Sequence, residues 1–149
     1  MKAQTSVGLA VGLAGRVVYA DTNVFIYALG QHTQWSERCL AVLQAASDRS
    51  LQLVAGELVL AELLVGPLRA QDHEGLASIR NLMQRSGLVE LLAHTLPTFE
   101  LAAKIRAENR LKMVDAIHVA TALHHRADVF LTHDRGISTI PGLEVLSLD

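Results

Sequence analysis

The sequence predicts an α/β fold built on a central, mainly parallel sheet. Short apolar segments rich in β-branched residues alternate along the whole chain with longer segments of helical periodicity, the pattern of βαβ units. Half of the 149 residues are hydrophobic, which is ample for one full core and excludes general disorder. No internal repeat, low-complexity tract or long linker divides the chain, so one domain is expected.

The elements follow in order. Lys2 and the small apolar residues after it make only a weak secretion signal, because the apolar run is interrupted by glycines. Residues 1–15 are read as a flexible N-terminal extension and residues 16–149 as the domain. Val17-Val18-Tyr19-Ala20 reads as a buried strand, ending at Asp21-Thr22-Asn23. Residues 24–29 continue apolar as a helical turn, and residues 30–33 form a break. Residues 35–48 read as an amphipathic helix with Cys39, Leu40, Val42 and Leu43 inward. A second strand is expected over 51–55. Residues 57–65 are helical and stopped by Gly66-Pro67. Another helix is expected over 72–86, with Leu76, Ile79, Leu82 and Met83 on one side, and a third strand over 88–92. Residues 97–109 form a helix with Pro97 at its first position and an internal Glu100/Lys104 pair. Residues 114–127 form a further helix, and residues 129–131 and 143–148 the last two strands.

Composition narrows the function. A net charge of −2 excludes a histone-like coating protein, so any nucleic-acid contact must be local. The sequence pI near 6.4 agrees. One cysteine, Cys39, permits no intrachain disulfide and suits a reducing compartment; cytoplasmic location is expected. No apolar run approaches the roughly 20 residues of a membrane span.

Four acids stand out: Asp21, Glu62, Asp115 and Asp134. Each lies at the end of an apolar element or inside one, where carboxylates are seldom left unpaired. Asp21 and Asp134 follow predicted strands, at the edge where open α/β sheets bind ligands. Asp115 opens a helix, where a carboxylate meets the positive end of the dipole. If the fold gathers them, self-repulsion is relieved most economically by a hard divalent cation, which points to phosphodiester chemistry.

The motifs around these acids resemble the PIN-domain ribonucleases, and most closely the VapC-type toxins of bacterial toxin–antitoxin pairs. The family's Asp-Ser/Thr-Asn is here Asp21-Thr22-Asn23. Its Glu-helix motif is Ala61-Glu62-Leu63-Leu64-Val65-Gly66. Its Asp-led helix is Asp115-Ala116-Ile117-His118-Val119-Ala120-Thr121-Ala122, and its Thr-x-Asp is Thr132-His133-Asp134. Each motif alone is weak; all four occur in family order across nearly the whole domain. Two positions depart from the pattern: His133, where the family often has Asn, and Gly56, where it often has Ser or Thr before the Glu helix.

The resemblance implies a three-layer α/β/α sandwich with about five strands. It implies Mg²⁺ or Mn²⁺ held by Asp21, Asp115 and Asp134, partly through waters, with Glu62 as a direct or indirect ligand. A metal-bound water would hydrolyse RNA to a 5′-phosphate and a 3′-hydroxyl. Asn23 and Thr132 either orient Asp21, Asp134 or a metal water, or serve turn and cap chemistry. Cations are needed at the rim of an acidic pocket. Lys104, Arg106, Arg110 and Lys112 lie within nine residues just before Asp115, and Arg135 adjoins Asp134. The alternative for the basic segment is a solvated helix face. A cognate antitoxin and a homodimer are the expected partners, with residues 35–48 and 57–65 as candidate surfaces.

Competing readings are distinguishable. His118, His124, His125 and His133 suggest zinc, but there is no HExxH and no cysteine pair. A non-catalytic PIN-like module would lose acids, and this chain keeps all four. An unrelated Mg²⁺-dependent phosphohydrolase would lack the Glu-helix motif.

Overall fold

The computed structural model describes residues 5–30, 34–137 and 139–149. Five strands form one parallel sheet: β1 (Val17–Ala20), β2 (Gln52–Gly56), β3 (Val89–Leu92), β4 (Val129–Thr132) and β5 (Glu144–Ser147), in the order β3-β2-β1-β4-β5. The helices described are α1 (Ser6–Gly12), α2 (Thr22–Leu29), α3 (Ser36–Ser47), α4 (Glu57–Ala70), α5 (His73–Arg80), α6 (Leu96–Glu108) and α7 (Met113–His124). A π-helical turn, Asn81–Arg85, extends α5. The expected break over residues 30–33 lies, beyond Gly30, outside the described residues.

Strand side chains alternate between the two faces of the sheet. Val18, Ala20, Leu53, Ala55, Val129 and Leu131 join one core with α1 to α5. Tyr19, Val54 and Phe130 join the other with α6 and α7. Three layers result, as expected. The chain runs outward from β1 to β3, then returns to place β4 on the other flank of β1. The topological switch point therefore lies between β1 and β4, at whose carboxyl ends ligands bind in such sheets.

Three sequence expectations are corrected. The segment expected to be flexible carries α1, whose Thr5 side chain caps Gly8 and whose Leu9 and Leu13 are buried in the first core. The glycines hid this helix, but two leucines four apart fall on one helical face. Helix α4 does not stop at Gly66-Pro67; it continues to Ala70 and ends at Gln71, whose φ of 52° is left-handed. Proline removes one N–H and glycine costs roughly 1 kcal/mol. The apolar face of this helix, anchored by Leu63, overrides both. In α3, Cys39 and Val42 point inward but Leu40 is 49% exposed.

Candidate active site

Asp21 leaves β1 and caps α2. Its Oδ1 accepts the Thr22 N–H at 2.8 Å and its Oδ2 accepts the Thr132 hydroxyl at 2.8 Å. The carboxyl is buried, and desolvation raises its pKa; Glu62 pushes the same way, while His118, the Thr132 hydroxyl and the Thr22 N–H oppose. Thr132 ends β4, and its oxygen also accepts the Asp134 N–H at 3.0 Å. One hydroxyl thus joins the two acids at the switch point. Asp134 itself is exposed, with Oδ1 accepting the Gly136 N–H at 2.8 Å.

Glu62 arrives from α4. Its Oε1 accepts the Thr22 hydroxyl at 2.9 Å and faces His118 Nε2 at 2.6 Å. Behind His118, its Nδ1 lies 2.7 Å from the Tyr19 hydroxyl, which accepts the Gly56 N–H at 3.0 Å. One proton arrangement satisfies the whole row: Tyr19 donates to Nδ1, and Nε2–H donates to Glu62. Desolvation pulls the Glu62 pKa up, but the His118 and Thr22 contacts outweigh it and the net shift is downward.

Asp115 sits in the first turn of α7, half-buried. Desolvation raises its pKa, and the nearby charges of Asp134 and Asp21 raise it further; His118 and Lys112 oppose. The four acids therefore converge at the carboxyl end of the sheet, where Glu62 acts on Asp21 and the charges of Asp21 and Asp134 act on Asp115. They are spaced rather than touching: among the described residues no three acidic, imidazole or thiol side chains stand close enough to chelate an ion directly.

Of the supporting residues, Thr132 binds Asp21 directly. Asn23 does not; its Oδ1 accepts the His133 N–H at 3.1 Å and tethers the loop that carries Asp134. His133 lies against Trp35, with ring centroids 4.1 Å apart, and 2.7 Å from the Tyr27 hydroxyl. His118, His124, His125 and His133 form no cluster of metal-ligating side chains among the described residues.

The basic residues divide. Arg106 donates to the Leu111 carbonyl at 2.8 Å and holds the turn between α6 and α7. Arg135 is paired with Asp149 at 3.1 Å. Arg110 and Lys112 line an open groove of about 640 Å³ with Arg106, and Lys112 is the residue at the N-terminus of Asp115's helix. Lys104 is exposed on α6 and lines no part of that groove.

Two site residues escaped sequence reasoning. Thr22 lay inside the first motif, where its hydroxyl could have been assigned to a neighbouring acid. Tyr19 was absorbed into an apolar strand, although a buried tyrosine hydroxyl needs a partner.

The PIN domain family profile matches residues 18–143, most of the chain and all four acids. This chain belongs to the PIN domain family. Solved structures share the PIN fold at low identity. A chain in the DNA-bound VapBC structure from Salmonella typhimurium is 18% identical, with a TM-score of 0.69 over 90% of this chain and 99% of that one. A chain of a toxin-antitoxin complex from Klebsiella pneumoniae is 23% identical, with a TM-score of 0.64 over 85% and 94%. VapC20 of Mycobacterium tuberculosis, a sarcin-ricin loop cleaving toxin, is 15% identical, with a TM-score of 0.61 over 76% and 86%. No curated protein sequence matches significantly.

Proposed function

We propose that this PIN domain is a Mg²⁺- or Mn²⁺-dependent endoribonuclease and the toxin of a type II toxin–antitoxin pair, acting in the cytoplasm. The observation that carries the reading is the gathering of carboxyls at the switch point: one Thr132 hydroxyl joins Asp21 to the Asp134 loop, and the charges of Asp134 and Asp21 add to desolvation in raising the pKa of Asp115. A divalent cation relieves that crowding of charge. The donors are all carboxylate oxygens, which suits a hard ion that keeps part of its water shell. Asp21, Asp115 and Asp134 would hold it, with Glu62 contributing the oxygen not occupied by Thr22 and His118. When bound, it supplies a water of lowered pKa and offsets charge on the phosphate oxygens.

This chain's residues do the rest. Thr132 aims Asp21 and fixes the start of the Asp134 loop. Thr22 and His118 fix Glu62. Lys112 and Arg110 stand where an RNA backbone would approach Asp115, and we assign phosphate contact to them. Arg106 and Arg135, already engaged within the chain, are weaker candidates.

The antitoxin reading is supported by similar folds found in solved toxin-antitoxin complexes and by a largely apolar groove of about 470 Å³ lined by Ile26, Leu29, Leu63, Pro67 and Ile79, with Glu62 at its edge. Exposed Val65 and Leu68 on α4 are the surface we assign to a homodimer. Among the described residues no helix is long and apolar enough to cross a membrane.

The decisive experiment is cleavage of a structured RNA by purified protein with Mg²⁺, with Mn²⁺ and with chelator. Metal-dependent internal cuts that vanish in Asp21→Asn are expected. Binding without cleavage would favour the interaction module, and hydrolysis of small phosphoesters alone would favour the unrelated phosphohydrolase.

A further inference from the structure

Gly56 ends β2 and occupies the N-cap of α4, the helix that carries Glu62. It offers no side chain to the N–H groups of the first turn. A Cβ at this position would meet His94 Cε1 at 2.5 Å and the Tyr19 hydroxyl at 2.7 Å. The space of a capping side chain is therefore filled by His94, which lies between β3 and α6. Its Nε2 accepts the Leu58 N–H at 3.0 Å. Leu58 is the second residue of α4, and its N–H is one of those that an N-cap side chain ordinarily satisfies.

The other side of the ring is also engaged. Because Nε2 accepts, Nδ1 carries the proton. It faces Thr121 Oγ1 at 2.8 Å, and Thr121 in turn donates to the Ile117 carbonyl at 2.7 Å. Thr121 belongs to α7, the helix of Asp115 and His118. A single imidazole thus bridges the two helices that bring Glu62 and Asp115 to the site. The Gly56–Tyr19–His118–Glu62 row makes a second bridge between the same helices.

We propose that His94 is the N-cap of α4 supplied from outside the helix, and through it a positioning residue for Glu62. The proposal rests on the nuclease reading only for its activity arm. It accounts for Gly56: the N-cap must lack a side chain because the capping group comes from elsewhere.

Three variants test it by NMR and kinetics. His94→Gln can return an acceptor to Leu58 at the reach of Nε2. His94→Asn reaches only as far as Nδ1 and keeps the Thr121 contact. His94→Ala removes both. Expected in Asn and Ala is amide exchange at Leu58 faster by about tenfold, the equivalent of a typical lost cap. The His118 Nε2 proton, held by Glu62, should exchange faster in the same variants, and kcat for RNA should fall with KM unchanged. His94→Gln should stay close to wild type in all three readouts. If the alanine variant fails to fold, the asparagine–glutamine pair still decides. Equal Leu58 exchange in that pair overturns the cap. Faster Leu58 exchange with an unmoved His118 proton overturns the positioning role. If both exchange readouts divide as expected but wild-type protein cleaves no RNA, the cap stands and the nuclease reading falls.

Discussion

The two faces of the sheet are built on different principles. The face covered by α1 to α5 is packed from aliphatic side chains with Phe25 and Cys39 among them, and its buried polar side chains, Thr22 and Ser36, sit at the starts of α2 and α3. The face covered by α6 and α7 is also apolar around Phe130, which stacks on Tyr19 at 5.2 Å. Yet a row of hydrogen-bonded groups runs through it, from Gly56 through Tyr19 and His118 to Glu62, with the His94–Thr121 bridge beside it. Every fully buried side-chain polar atom among the described residues has a partner. Apolar packing is tolerant of shape but sets no angles, whereas a fully paired polar row has few alternative arrangements. The first face supplies most of the aliphatic packing, and the polar row of the second, together with Thr22 and Asn23 at the start of α2, aims the acids.

Substitutions can break that distinction or sharpen it. The largest stability loss is expected on the aliphatic face. Leu53→Ala, at a buried position away from the carboxyl end of β2, should cost about 2–5 kcal/mol in chemical denaturation while leaving RNA cleavage per folded molecule unchanged. Gly56→Ala should cost about 1–3 kcal/mol, because its Cβ collides with His94 and Tyr19. Unlike Leu53→Ala, it should also lower cleavage. Tyr19→Phe keeps the stack on Phe130 but leaves the Gly56 N–H and His118 Nδ1 unpaired, so about 1–3 kcal/mol is expected with a larger fall in kcat than Leu53→Ala gives. Equal loss of cleavage from Leu53→Ala and Tyr19→Phe would erase the distinction between the faces.

Two smaller effects sharpen it. His94 is held below the ordinary imidazole pKa by partial burial and by His118 and His125, against the attraction of Glu57. Its neutral form accepts the Leu58 N–H, so protonation breaks the cap. The stability it contributes is complete above the unfolded-state value of about 6.5 and is lost as pH falls from there toward the lower folded-state value. Melting temperature should therefore drop more steeply on acidification in wild type than in His94→Gln. On the aliphatic face, burial pushes the Cys39 thiol up to about 12. It should resist a disulfide reagent at pH 8 until the protein unfolds, and rapid native labelling would show that α3 opens.

Much of this was legible in the sequence. The alternation of Val18, Tyr19 and Ala20, the position of Asp21 after them and the Asp115 helix all follow from local pattern, because strand ends and helix starts announce themselves in side-chain type. What was hidden depended on distant partners. Nothing near His94 in the chain marks it as a cap, since its acceptor role exists only once β3 and α4 are adjacent. Gly56 looked like a departure from the family motif, and its reason is a ring 38 residues away. The run through Gly66-Pro67 was misread because local stop signals were judged without the face of α4 that packs on the core. Leu9 and Leu13 were discounted among glycines for the same reason.

The switch-point arrangement has a consequence for synthesis. The site draws on Asp21 near one end of the sequence and on Thr132 and Asp134 near the other, so no early fragment contains it. While the ribosome still shields the segment that becomes β4, Asp21 lacks its hydroxyl partner and the emerging polypeptide carries no complete site. On the nuclease reading proposed above, competence to cut therefore arises only after the segment carrying Thr132 and Asp134 has emerged.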